Sequence, residues 1–130
     1  MFNKKKQPPI KSLIAEGSHI SGNISFTDGL RVDGQVTGDV HAKEDVPSIL
    51  VISDAATIVG DTTADHIIIN GSVKGKVNAR LMLELQPNAR IEGDVQYAAL
   101  EMHQGALIAG QLRPLLGTDE KPTLKLAANN

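Results

Sequence analysis

Gly71-Ser72-Val73-Lys74-Gly75-Lys76-Val77 alternates apolar and polar residues around a central glycine. Val36-Thr37-Gly38-Asp39-Val40 precedes it with the same signature, and Ile91-Glu92-Gly93-Asp94-Val95 follows. Looser copies are Ile20-Ser21-Gly22-Asn23-Ile24, Ile58-Val59-Gly60-Asp61-Thr62 and Ile108-Ala109-Gly110-Gln111-Leu112. The chain is therefore one supersecondary unit repeated six times, and the repeat decides the architecture. The central glycines fall at 22, 38, 60, 75, 93 and 110, with gaps of 16, 22, 15, 18 and 17 residues. Helical repeats are longer, at roughly 33 to 47 residues. Strict alternation is strand periodicity. A coil of about 17 or 18 residues holds three short strands and three corners, which is the unit of a parallel β-helix.

Each coil has a second readable part, an apolar strand upstream of its glycine: Leu30-Arg31-Val32, Leu50-Val51-Ile52, Ile67-Ile68-Ile69, Leu83-Glu84-Leu85 and Leu100-Glu101-Met102. Some corners between the two parts are tight, as at Asp33-Gly34 and Asn70-Gly71, where the dipeptides accept positive φ. Others are two residues longer, as at Ser53-Asp54-Ala55-Ala56 and Gln86-Pro87-Asn88-Ala89. An even difference keeps the next strand in phase, because side chains alternate with period 2. By the same alternation Gly22, Gly38, Gly60, Gly75, Gly93 and Gly110 point inward, as structural residues that turn a corner without crowding the bore. Thr62 breaks the apolar rule at its position. The 22-residue gap carries a surface loop from His41 to Ser48.

Composition agrees. At 130 residues one domain is expected. Aromatics are 2% of the chain, namely Phe2, Phe26 and Tyr97, as suits a narrow bore filled by Val, Ile, Leu and Ala. The absence of cysteine excludes disulfides and thiolate metal sites and fits a reducing compartment. A net charge of −2 gives no case for a nucleic-acid partner. No apolar run reaches the ~20 residues of a spanning helix, and no apolar segment of signal-peptide type follows the early lysines.

Three regions follow: residues 1–13 as a flexible N-terminal tail, 14–113 as the β-helix, and 114–130 as a flexible C-terminal tail in which Thr123-Leu124-Lys125-Leu126 is a strand or docking-peptide candidate. Met1, Phe2, Lys4, Lys5 and Lys6 put an apolar tip before a basic run, and Pro8-Pro9 breaks any helix. This reads either as a solvated terminus or as a membrane-surface anchor, with the ring in the interface and the lysines on anionic lipid.

Catalytic chemistry is not legible. His19, His41, His66 and His103 are 22, 25 and 37 residues apart, without zinc-motif spacing. No nucleophile elbow, phosphate loop or dinucleotide fingerprint occurs. Gly38-Asp39, Gly60-Asp61 and Gly93-Asp94 lack the density of calcium-binding β-helix repeats and read as outward solubilising charge. No catalytic, metal or cofactor-binding residue is assigned, and no cofactor is expected.

The repeated Ile/Val-x-Gly-Asp-Val signature, the block Leu30-Arg31-Val32-Asp33-Gly34-Gln35-Val36-Thr37-Gly38-Asp39-Val40 and the stretch from Leu83 to Val95 closely resemble the bactofilins, bacterial cytoskeletal proteins. The resemblance spans about residues 14 to 113. It implies a right-handed parallel β-helix of six windings that polymerises end to end, without nucleotide, into non-polar filaments. It also implies membrane attachment, because Met1-Phe2-Asn3-Lys4-Lys5-Lys6 is similar to the family's N-terminal membrane-binding element. The expected place is then the cytoplasm, at the inner face of the cytoplasmic membrane. Expected partners are further copies of the chain, an anionic lipid surface, and cell-wall enzymes or polar proteins as clients in cell shape, cell-wall synthesis or polar scaffolding. Polymer contacts are expected at Ile20, Ile24 and Phe26 on one end and Met102, Ile108 and Leu112 on the other, since each end of a β-helix is an open row of backbone groups over a slice of apolar bore. No capping helix is visible at either end.

A β-helical enzyme, of the hexapeptide-repeat acyltransferase or γ-carbonic-anhydrase type, is the alternative, but gaps of 15 to 22 break a six-residue rhythm. A carbohydrate-binding adhesin fits less well, for want of aromatics and a signal peptide.

Overall fold

The protein, seen as a computed structural model, is described over residues 7–115 and along the backbone of residues 123–126. All regular structure in the described residues is β-strand, and every strand pairing is parallel. Six coils stack, each with three strands, so the molecule has three faces. The first face carries Ile10–Ile14, Asp28–Val32, Ser48–Ile52, then residues 66–69, 82–85 and Ala99–Met102. The second carries His19–Ser21, Gln35–Thr37, Thr57–Val59, Ser72–Lys74, Arg90–Glu92 and Leu107–Ala109 as a separate six-stranded sheet. The third carries Ile24–Phe26, Val40–Ala42, residues 62–64 and 77–79, Val95–Tyr97 and Leu112–Pro114. In the third and fourth coils the third-face strand runs on into the first-face strand of the next coil, as Thr62–Ile69 and Val77–Leu85. The first coil begins at Ile10, four residues ahead of the expected domain start, because Ile10–Ile14 pairs with Asp28–Val32. At the other end Thr123–Leu126 pairs with Ala99–Met102 and adds a strand to the first face alone.

Alternation builds the core as columns. Val36, Ile58, Val73 and Ile91 lie in register on the second face, and Val32, Ile52, Ile69 and Leu85 on the first. All eight are buried. Stacking like on like lets each coil bury the face that it cannot bury alone. On the third face Ala42, Ala64 and Ala79 are buried small residues, with Phe26 and Tyr97 in the same column position. Thr62 stands in a column with Val40 and Val77 and is fully buried, its Oγ1 without a hydrogen-bond partner. It occupies the shape of a valine.

The central glycines do not point into the bore. A Cβ on Gly75 would run into the carbonyl of Gly60, one coil below, and φ at Gly75 is +154°. The corner backbone turns so that the missing side chain lies along the rod axis, and the coils sit too close there for any Cβ. The tight corners differ from expectation in the same way. Gly34 and Gly71 take no positive φ; a Cβ on Gly34 would collide with the carbonyls of Ala15 and Ser18, and one on Gly71 with that of Ser53.

The long loop is held by one arginine. Arg80 Nη2 donates to the Ala42 carbonyl at 2.6 Å and Nη1 to Asp65 Oδ1 at 3.0 Å. Asp65 and Ser48 exchange two more hydrogen bonds, N to Oγ at 2.9 Å and N to Oδ2 at 3.2 Å. Both edges of the excursion at 43–47 are thereby fastened to the following coils.

Candidate assembly ends

What the columns leave open is at the two ends. The second-face column runs Ile20, Val36, Ile58, Val73, Ile91, Ile108. Its inner members are 0–2% exposed, whereas Ile20 is 38% exposed and Ile108 partly so. The third-face column runs Ile24, Val40, Thr62, Val77, Val95, Leu112. Ile24 is partly exposed and Leu112 is 44% exposed, while the four between them are fully buried. Each end is thus a cut through the core. Phe26 is the correction: it is buried at 8% exposure. Its register partner Ala42 is small, and Phe26 belongs to the same buried cluster. Met102 is partly buried, in register with the backbone of Leu126 on the added strand.

Backbone groups follow the same division. Leu107–Ala109 and Leu112–Pro114 end their faces, with no further strand among the described residues, while Ala99–Met102 is covered by Thr123–Leu126. At the N-terminal end all three strands of the first coil are edges among the described residues. Open parallel edges with apolar residues between them are templates for another strand layer. Gly22 marks the difference between end and middle: nothing lies within 4 Å of where its Cβ would stand.

A ladder of side chains runs up the corner after Gly22, Gly38, Gly60 and Gly93. Asn23 Oδ1 accepts from the Asp39 N–H, Asp39 Oδ1 from the Asp61 N–H and Asp61 Oδ1 from the Lys76 N–H, each at 2.9 Å. Asp94 Oδ1 accepts from the Gln111 N–H at 3.1 Å. These carboxylates are not merely solubilising; each caps the coil that follows. Sequence spacing alone does not signal a bond from one coil to the backbone of the next, but writing the repeats under one another aligns the acceptors.

The same column reading finds a cluster that spacing concealed. Glu84 and Glu101 are register partners, and His103 Nε2 lies 3.0 Å from Glu84 Oε2 and 3.5 Å from Glu101 Oε2. The three could hold a metal ion by ligand type, yet the imidazole already stands between the carboxylates as their partner. His19 is exposed, with Nε2 3.0 Å from Thr37 Oγ1, and His66 is half-buried in the strand Thr62–Ile69. Elsewhere Arg31 Nε donates to Asp33 Oδ1 at 2.8 Å, and this bond, with one from Ser53, holds the Asp33 carboxyl below its ordinary range.

A family model described as "Bactofilin: Polymer-forming cytoskeletal" matches residues 12–113, the six coils almost entire. The chain belongs to the bactofilin family. Bactofilin BacO of Myxococcus xanthus (strain DK1622) is 24% identical over 111 residues, covering 85% of each chain. Bactofilin BacP of the same organism is 25% identical over 93 residues, covering 72% of this chain and 37% of the relative. No solved structure matches. The bactofilins are, by that description, polymer-forming cytoskeletal proteins. No helix of the described residues is long and apolar enough to cross a membrane. Met1, Phe2, Lys4, Lys5 and Lys6 lie outside the described residues.

Proposed function

We propose that this chain is a scaffold subunit that polymerises end to end, without nucleotide, through the outer faces of its first and sixth coils. The observation that carries the reading is the Ile20-to-Ile108 column, closed in its four inner members and open at its ends. A second molecule stacked on either end continues the ladder that each coil already makes with its neighbour. Ile20 and Ile24 form the apolar part of the junction at one end, with Phe26 behind as support, and Ile108 and Leu112 form that at the other, beside the added strand that covers Met102. Pelleting and negative-stain imaging of the purified protein test it, with Leu112→Arg as the end variant. Leu112 is exposed in the single molecule, so the arginine does not disturb its fold, but a dry junction would strand the charge.

The polymer acts, in this reading, at the inner face of the cytoplasmic membrane, held by Met1, Phe2, Lys4, Lys5 and Lys6 and recruiting cell-wall or polar proteins as clients. Burying Phe2 contributes about 1.5–3 kcal/mol, and each lysine about 1 kcal/mol at an anionic surface. A single tail therefore binds weakly and reversibly. Many tails on one polymer bind as a linked array and far more tightly.

A further inference from the structure

Residues 7–9 do not hang free from the first coil. Ile10 pairs with Gly29 in the second coil, and a Cβ on Gly29 would collide with Pro9 and Ile10. Gln7 Nε2 lies 3.4 Å from His66 Nδ1, in the fourth coil. Three strand spacings of about 4.8 Å separate the first and fourth coils, or ~14 Å. Three extended residues span ~10 Å, and the glutamine side chain covers the rest. Gln7-Pro8-Pro9 therefore runs lengthwise up the outside of the rod, stiffened by two fixed proline φ angles. Its path follows the ridge where the third face turns into the first.

On that ridge, one coil beyond His66, the chain carries an extra residue. His66 pairs with Met82 and Ala64 with Ala79, so Arg80 and Leu81 together oppose Asp65 alone. This bulge leaves Leu81 54% exposed. Bulges re-aim side chains and are features rather than defects. Asp28 and Asp65, the sequence neighbours of Gly29 and His66, are paired, Asp28 with Lys11 at 3.3 Å and Asp65 with Arg80 at 3.0 Å.

We propose that this ridge, marked by Gln7, His66 and Leu81, is the side on which the rod meets an anionic membrane. The inference rests on the N-terminal anchor proposed above and adds an orientation to it. Phe2 lies five residues before Gln7, a leash of at most about 18 Å. A face of about six residues is ~20 Å wide. The leash cannot carry Phe2 across a face and still into lipid, so an inserted Phe2 draws the ridge, with Leu81, toward the bilayer.

The chain has no cysteine, so single cysteines can carry an environment-sensitive fluorophore in the full-length protein. Leu81→Cys probes the ridge, and Val59→Cys, exposed on the opposite, second face, is the control. With vesicles of phosphatidylglycerol and phosphatidylcholine, the label at 81 should shift to the blue and brighten while the label at 59 stays unchanged. Leu81→Glu should float less with the vesicles than the parent protein while still forming filaments. If the protein floats but the two labels respond alike, or 81 does not respond, the orientation is wrong and the anchor stands. If the label at 81 shifts on polymerisation without lipid, the ridge is a contact between copies, and the proposal falls. If the protein does not float at all, the anchor reading fails and the orientation with it.

Discussion

Gly75 stands directly over Gly60, so close that the Gly60 carbonyl oxygen occupies the place of a Gly75 side chain. The same relation links each central glycine to the one before it, from Gly38 over Gly22 to Gly110 over Gly93. The contact is axial, between coils, and it sets how closely the coils stack. At Gly75 a substitution meets both a steric block and a positive φ. Gly75→Ala should therefore cost about 2–4 kcal/mol. Gly22 has a φ of +128° but open space beyond it, so Gly22→Ala should cost about 1–2 kcal/mol, from strain alone. Urea melts of the two variants check the order; equal losses would show that the axial contact does not matter.

Gly22 also tests the N-terminal end separately from the fold. Its Cβ direction leads off the end face, where a stacked neighbour would sit. Gly22→Val should remain a folded β-protein by circular dichroism and lose filaments in the electron microscope. Intact filaments would place the junction away from the first coil.

Thr62 should be improvable. Its hydroxyl is buried without a partner, between Val40 and Val77. An unsatisfied buried hydroxyl costs about 1–3 kcal/mol. Thr62→Val keeps the shape and removes the hydroxyl, so it should raise Tm by several degrees, at about 4–8 °C per kcal/mol for a domain of this size. A thermal melt with no change, or a fall, would mean that the hydroxyl is satisfied.

The corner ladder predicts a rescue. Asp61→Ala removes the acceptor for the Lys76 N–H and should destabilise by about 1 kcal/mol. Asp61→Asn should recover most of that, since Asn23 performs the same task for Asp39. If asparagine is as damaging as alanine, the charge rather than the hydrogen bond is what counts.

The columns were legible in the sequence because alternation is strict. Reading Ile20, Val36, Ile58, Val73, Ile91 and Ile108 as equivalent needs only the glycine phase, and the six coils and the parallel stacking follow from it. Direction along the axis was not legible. Alternation divides residues into inward and outward and has no third option, so it assigns the central glycines inward. Phe26 departs from the expected end exposure because burial in the end coil depends on the cluster a side chain joins, which alternation does not show. The Glu84, Glu101 and His103 cluster was hidden because the interacting groups lie a coil apart. The Gln7-Pro8-Pro9 strap carries no pattern at all; its path is set by Gly29 and His66, far off in sequence.

The central claim is that open coils at the two ends join copies of this chain into a filament. Electron microscopy of the purified full-length protein, with no nucleotide present, tests it most directly. Six coils at about 4.8 Å make a subunit of ~29 Å, and stacking predicts filaments with an unbroken ~4.8 Å axial spacing through every junction. Leu112→Arg should give only single or paired folded particles under the same conditions. Discrete particles from the wild type, or filaments from Leu112→Arg with that spacing unchanged, would contradict the account.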